Sequence, residues 1–355
     1  MPDGCELGNE EVPRVIAIET VQPSQLAPDE SALAQVHEYL IQALKNSEQT
    51  LGSTLRDACL YAVGPQGKMM RPALMLEACR AVGGNPEQIL PAVAGTEYGH
   101  TASLIHDDLI DGDGTRRGQE AVHRRFGLDY AVLGGDYLIF QTYHCFTRCA
   151  ALGVPSDRVL RAIALLSATC MEMCEGQALE AELVGNCDVT RELYLQVIHL
   201  KTATFTASAA QIGAVLGGGE EAEIQALGAY GEHLGLAFQV IDDLLCYTEQ
   251  DDVLKKPVLS DLANRRVTLP IIYALEKAST AQRTWLCDLF AAPQPDLSQQ
   301  PALLELLQAT GAIERARADA EQFAALARRH VGALGPTASR ERLAALAGMA
   351  VHRHH

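Results

Sequence analysis

Aromatic residues fill only 5% of the 355 positions and tryptophan occurs once, so the 48% of hydrophobic residues is mostly leucine, alanine, valine and isoleucine. That mixture suits helices better than sheets. Basic residues are also few: 28 against 45 acidic ones give a formal net charge of −17. Such a balance argues against nucleic acid or an anionic membrane as the principal partner, while leaving room for a local cationic pocket. No run approaches eighteen apolar residues, so no stable membrane insertion is expected. The first residues, with Asp3, Glu6, Glu10 and Glu11, lack a basic-then-apolar leader, and the expected location is cytoplasmic. No C-x-x-C occurs among the ten cysteines. Cys145/Cys149 and Cys170/Cys174 stand one helical turn apart near Phe146, Leu152 and Met171, so small buried thiols are expected, not a disulfide framework or a metal site.

Residues 1–28 hold Pro2, Pro13, Pro23 and Pro28 with little periodicity, and are expected to form a loose N-terminal extension before one domain over 29–355. Helical spacing begins with Leu33, Val36, Leu40, Ile41 and Leu44, after Asp29 and Ser31 as candidate caps. A loop at Gly64-Pro65-Gln66-Gly67 precedes a helix opened by Pro72 and closed by Gly83-Gly84. Further helices are expected over about 91–111, 133–149, 156–185, 190–216, 220–248 and 267–279, with a late loop at Pro293, Pro295 and Pro301. No alternating strand pattern persists. The expected fold is all-α, a single large helical bundle around a central cavity.

What the chain does have is two aspartate pairs inside apolar runs: Leu104-Ile105-His106-Asp107-Asp108-Leu109-Ile110-Asp111 and Gln239-Val240-Ile241-Asp242-Asp243-Leu244-Leu245-Cys246. Burying adjacent carboxylates without a cation costs several kcal/mol per charge or shifts their pKa values. Asp107 and Asp111 share a helix face at i and i+4, with Asp108 rotated by about 100°. Oxygen-only ligands suit a hard divalent ion, and Mg²⁺ is usually shared between a few carboxylates and a phosphate. Thr115-Arg116-Arg117-Gly118 follows at once, and guanidinium forks match phosphate oxygens. Lys68 and Arg71, cations at a helix start, oppose the macrodipole, which stability alone would not select.

The first cluster with its trailing arginines resembles the D-D-x-x-D and R-R-G motif of the trans-isoprenyl diphosphate synthases, or polyprenyl synthetases. The resemblance runs from about residue 55 to 275 in the family's order. Gly67-Lys68-Met69-Met70-Arg71-Pro72, His100, Gly135-Asp136, Glu175-Gly176-Gln177, Lys201-Thr202, Phe238-Gln239 and Thr268-Leu269-Pro270 match further landmarks. Each string is short; their ordered combination is specific. The resemblance implies the isoprenoid synthase fold and head-to-tail condensation of isopentenyl diphosphate with an allylic prenyl diphosphate. It implies a homodimer and about three Mg²⁺ ions on Asp107, Asp111 and Asp242, with Asp108 and Asp243 in support. Gly67, Lys68, Arg71, His100 and Arg117 would hold isopentenyl diphosphate. Arg116, Lys201, Lys256 and Arg266 would grip the allylic diphosphate, with Thr202 and Gln239 as polar contacts.

The second motif departs from the family at Cys246, where an aspartate is usual; a thiol is a poor partner for Mg²⁺. Lys255-Lys256 and Arg265-Arg266 stand where the family commonly has Gly-Lys, and Lys255 and Arg265 are expected to be solvated. Ala102 and Ser103, five and four positions before Asp107, are small where short-chain members often have an aromatic plug. The product is therefore expected to be geranylgeranyl diphosphate (C20) or longer, with Tyr137, Phe140 or Tyr143 as candidate floor. Two other readings stay open. One is a terpene cyclase on the same scaffold; the other is a non-catalytic subunit that modulates an active homologue.

Overall fold

Leu33, Val36, Leu40 and Leu44, spaced by three and four, are all buried in α1 (Glu30–Lys45), whose N-terminus is capped by Asp29 accepting from the Ala32 amide at 3.1 Å. This computed structural model describes residues 29–46, 52–65, 67–248 and 260–351. The expected extension over 1–28, and Lys255 and Lys256, lie outside the described residues.

After α2 (Ser53–Val63), α3 (Met70–Ala81) buries nine of its twelve residues, as expected for a helix apolar on every side. α4 (Pro86–Asp111) starts earlier than the sequence suggests: Asn85 caps it, Pro86 occupies the first turn, and Gly112 ends it at φ +72°. A hairpin follows, β1 (Thr115–Arg116) against β2 (Gln119–Glu120), antiparallel with Arg116 opposite Gln119. Its turn residues Arg117 and Gly118 both have positive φ, the backbone a two-residue hairpin loop requires. Among the described residues this is the only sheet.

Helices resume with α5 (Val122–Phe126), α6 (Leu128–Arg148) and α7 (Ser156–Glu182). The helix expected over 190–216 runs from Arg191 to Gly217 and contains a π-helical turn. Its parts are α8 (Arg191–Ile198), the π-helical turn at His199–Ala203, and α9 (Thr204–Gly217). α10 (Glu221–Thr248), α11 (Ser260–Ala263), α12 (Leu269–Lys277) and α13 (Thr280–Ala291) follow. α14 (Gln300–Thr310) has Pro301 in its first turn, so that proline opens a helix instead of marking a loop. α15 (Ala312–Val331) and α16 (Ala338–Val351) complete the described chain.

The fold is all-α. α4 packs along α6, α9 is held between α3 and α10, and α15 packs on α10. Two buried clusters form the core, one around α1–α6 with Tyr98 and Phe146, the other around α10 and α12–α15 with Tyr273 and Phe290. No described helix is long and apolar enough to cross a membrane. The hairpin meets the end of α4 through Arg116 and Asp108, and the π-helical turn meets α10 through Thr202 and Gln239.

Candidate active site

The last turn of α4 presents three carboxylates, and each meets a cation from a different element. Asp108, only 3% exposed, accepts from Arg116 Nε at 2.7 Å and from a second nitrogen of the same guanidinium. Arg116 comes from the hairpin and also reaches Asp113 at 3.5 Å. Asp111 accepts from Arg266 at 2.6 Å; Arg266 lies 3.1 Å from Glu180 of α7, which accepts from Lys201 Nζ at 2.6 Å. Asp107 lies in the field of Lys201, yet burial outweighs that attraction and pushes its carboxyl above the ordinary value. Asp111, Arg266, Glu180 and Lys201 thus form a chain of alternating charge that draws in α4, α7, the π-helical turn and the segment after α11.

Local backbone explains why Lys201 lies there. At Gly176 a Cβ would fall 2.6 Å from the Lys201 amide nitrogen, so α7 approaches the π-helical turn only without a side chain at that position. One helical turn on from Gly176 stands Glu180, directly under Lys201. The wide turn itself is a form of helix often found at functional sites.

A second cationic group lies around the start of α3. Arg117 donates to Pro65 O at 2.9 Å, and a Cβ on Gly67 would come within 2.7 Å of its guanidinium. Met69, at φ +49°, turns the chain so that Arg71 enters the first turn of α3. The Arg71 guanidinium stacks 5.0 Å over the Phe205 ring, and its Nε is buried with no hydrogen-bond partner. Burial holds Arg71 below its ordinary value against the fields of Glu97 and Asp242. Burial and Arg71, Arg117 and Arg116 hold His100 well below its ordinary value, so the ring is neutral. Glu97, 6% exposed, is pushed up by burial and pulled back by Arg71 and Arg117.

On α10 the carboxylates are placed differently. Asp243, 7% exposed, accepts from Tyr194 OH at 2.6 Å and Gln239 Nε2 at 2.8 Å, and Thr202 Oγ1 donates to Gln239 Oε1 at 2.9 Å. Burial and the neighbouring Asp261 push Asp243 well above its ordinary value. Asp242 is half-buried, and its charge reaches Arg71. The Cys246 thiol donates to Asp242 O at 3.6 Å and sits 3.6 Å from Ser260 Oγ, packed inside the fold.

Two expected placements change. Arg265 is not a solvated cation: at φ +59° it turns away from the site and donates to Phe290 O and Ala291 O, both at 3.0 Å. Phe140 is 71% exposed on the outer stripe of α6 with Leu133, Asp136 and His144, opposite Leu138 and Thr142, and it floors no pocket in this chain. Tyr137 and Tyr143 are half-buried against the core instead. Ala102 is fully buried, and Ser103 Oγ donates to His100 O at 2.8 Å. Glu180, Glu97 and Tyr194 were missed by the sequence reading. For Glu180 a signal existed, since it follows the Glu175-Gly176-Gln177 landmark by three positions; the other two carry none.

Comparison with known proteins identifies the family. The polyprenyl synthetase family model matches residues 53–307. The short chain isoprenyl diphosphate synthase of Methanothermobacter thermautotrophicus is 37% identical over 302 residues, 85% of this chain and 91% of that protein. The geranylfarnesyl diphosphate synthase of Natronomonas pharaonis is 32% identical over 343 residues, 91% of this chain and 97% of that one. The crystal structure of geranylgeranyl pyrophosphate synthetase from Pyrococcus horikoshii superposes with a TM-score of 0.85 at 29% identity, covering 93% of this chain and 99% of the other. With the match spanning most of the chain, both aspartate pairs included, the protein belongs to the polyprenyl synthetase family of trans-prenyltransferases.

Proposed function

We propose that the chain condenses isopentenyl diphosphate with an allylic prenyl diphosphate in a Mg²⁺-dependent reaction, releasing geranylgeranyl diphosphate (C20) or a longer product. The observation that carries this reading is the presence of two separate cationic groups. Arg116, Lys201 and Arg266 stand interleaved with carboxylates. Arg71, Arg117 and the neutral His100 stand apart, with a buried guanidinium nitrogen left without a partner. A buried donor without a partner is costly, and a diphosphate oxygen is its natural acceptor.

Mg²⁺ fits the donor set. Asp107, Asp111 and Asp242 offer hard oxygens, and burial has already made the charge on Asp107 unfavourable without a cation. When bound, the metal supplies neutralisation of negative charge on a departing diphosphate. Asp107, Asp111 and Asp242 would hold the metal, and Arg116, Lys201 and Arg266 would donate to phosphate oxygens of the allylic diphosphate, the role also proposed for Lys256. Charge growing on the leaving diphosphate as its C–O bond breaks meets these fixed cations. Gly67, Lys68, Arg71, His100 and Arg117 hold the second diphosphate, so that the double bond of isopentenyl diphosphate faces the allylic carbon. A neutral His100 donates a hydrogen bond without adding charge. Thr202 and Gln239, fixed by each other and by Asp243, line the path between, and Asp108 and Asp243 hold their neighbours in place.

Small residues at Ala102 and Ser103 leave room for a long tail, and Tyr137 or Tyr143 is the better floor candidate now that Phe140 points outward. The exposed Leu133 and Phe140, 51% and 71%, make the outer face of α6 the surface a second copy would cover in a homodimer. The separate Arg71–Arg117–His100 group disfavours a cyclase, which has no use for a second diphosphate. Labelled isopentenyl diphosphate offered with C5, C10, C15 and C20 allylic primers tests the reading. Elongated product supports it; a hydrocarbon or alcohol from primer alone, or turnover only on adding a second protein, overturns it.

A further inference from the structure

Cys59, Cys79 and Cys145 are buried, and burial lifts each thiol to about 12, which makes them inert. Cys187 and Cys287 are free and half-buried, and the Cys287 thiol is one of the groups that act on Cys187. Cys187 lies on the loop after α7, and Cys287 lies in α13. Their apposition is built into the fold. Asp188, next to Cys187, meets Arg283 at 3.4 Å, and Arg283 stands one helical turn before Cys287 on the same face of α13. Both thiols also pack on the same hydrophobic cluster.

The loop is tied to the site from its other side. The Gly185 amide donates to Arg265 O at 2.8 Å, and the Arg265 side chain donates to the last carbonyls of α13. Loop, Arg265 and α13 therefore form a closed triangle, and the next residue, Arg266, is the one that bridges Asp111 and Glu180.

We propose that Cys187 and Cys287 are a redox-active dithiol that closes to a disulfide, clasping the loop to α13 and stiffening the segment that carries Arg266. The co-reactant is a small disulfide such as glutathione disulfide. The Cys287 sulfur attacks one of its sulfurs and releases one glutathione. The Cys187 sulfur then attacks that of Cys287 and releases the second. Two electrons pass to glutathione disulfide, and the two thiol protons end on the two glutathiones. Burial and the neighbouring thiol push Cys187 up to about 12, which makes it a poor first nucleophile.

The test is to incubate the full-length protein with glutathione disulfide, digest it under non-reducing conditions and map the linked peptides by mass spectrometry. A Cys187–Cys287 peptide is expected, lost on adding dithiothreitol and absent from Cys187→Ser and Cys287→Ser. Cys187→Ser is expected to trap a glutathione adduct on Cys287. The bridged protein should melt a few degrees higher, because closing so long a loop restrains the unfolded chain. Absence of the linked peptide, or a bridge formed mainly by another cysteine such as the exposed Cys174, overturns the proposal. A second readout rests on the function proposed above. Prenyl transfer should fall several-fold on oxidation and recover on reduction, in wild type but not in Cys287→Ser. A bridge that leaves turnover unchanged overturns the link to Arg266, whereas failure of the prenyl transfer reading leaves the peptide map standing.

Discussion

The two aspartate pairs look alike in sequence and are held in opposite ways. On α4 every carboxylate faces a full positive charge: Asp108 has Arg116, Asp111 has Arg266, and Asp107 has Lys201 nearby. On α10, Asp243 is held by neutral donors, Tyr194 and Gln239, deep enough that its proton affinity rises well above the ordinary carboxylate value. An ion pair can be traded for another ion, because a metal or a phosphate offers an equivalent partner. A carboxylate locked by a phenol and an amide has no such alternative and acts as scaffold. The first cluster is therefore expected to supply two chemical residues, Asp107 and Asp111, with Asp108 holding Arg116, while the second splits into a chemical residue, Asp242, and a structural one, Asp243.

The strongest way to break this contrast is Asp107→Asn. Prenyl transfer is expected to fall by about 10³-fold or more, the scale for losing a charge-stabilising group at a reacting centre. The melting temperature should hold or rise, since burial already penalises the charged form of Asp107. Steady-state kinetics and a thermal melt on the same sample decide it, and activity within tenfold of wild type would show that α4 is not the ionising surface. Asp243→Ala should invert the pattern. It strands Tyr194 OH and the Gln239 amide in the interior, a loss of about 2–3 kcal/mol in chemical denaturation. If instead the fold is unaffected and turnover vanishes, Asp243 belongs with the chemistry. Next in size is Arg266→Lys. It keeps the charge but gives up the fork that reaches Asp111 and Glu180 together, so the allylic KM is expected to rise about tenfold with kcat less affected.

The helical class and both aspartate clusters were legible because each rests on short-range pattern. Apolar spacing of three and four reports a buried face, and adjacent acids followed by paired arginines report an anion. What stayed hidden depends on distance in the chain. Arg265 reads as one of a pair of loop cations until α13 offers it two carbonyls, and Phe140 reads as a pocket residue until its helix is seen to turn that stripe outward. The π-helical turn at His199–Ala203 within the 190–216 helix has no residue to announce it; it lies where α7 approaches closely at Gly176. Cys187 and Cys287 show the same limit, because no spacing rule connects residues so far apart.

The smallest expected effect sharpens the comparison on the very elements that hold Lys201 and Gln239. At the surface, His199 of the π-helical turn lies 3.3 Å from Glu232 of α10, with the side chains 40% and 38% exposed. The hydrogen bond to Glu232 raises His199 above its ordinary 6.5, and the same bond lowers Glu232 below its ordinary 4.5. His233, His330 and Glu172 also act on the pair. The raised histidine contributes stability that is complete below 6.5 and lost as pH rises through its folded value. The lowered glutamate contributes stability that is complete above 4.5 and lost as pH falls through its folded value. Both contributions overlap fully only between those two ordinary values. Exposure limits the pair to about 0.5 kcal/mol, so His199→Gln should lower the melting temperature by roughly 1–2 °C near pH 5.5 and leave it unchanged near pH 8. Tyr194→Phe, which removes a buried donor to Asp243, should instead cost about 1.5–3 kcal/mol across that whole range. A His199 variant as damaging as the Tyr194 one would mean that ion pairs and neutral interior bonds do not divide the work as the two clusters suggest.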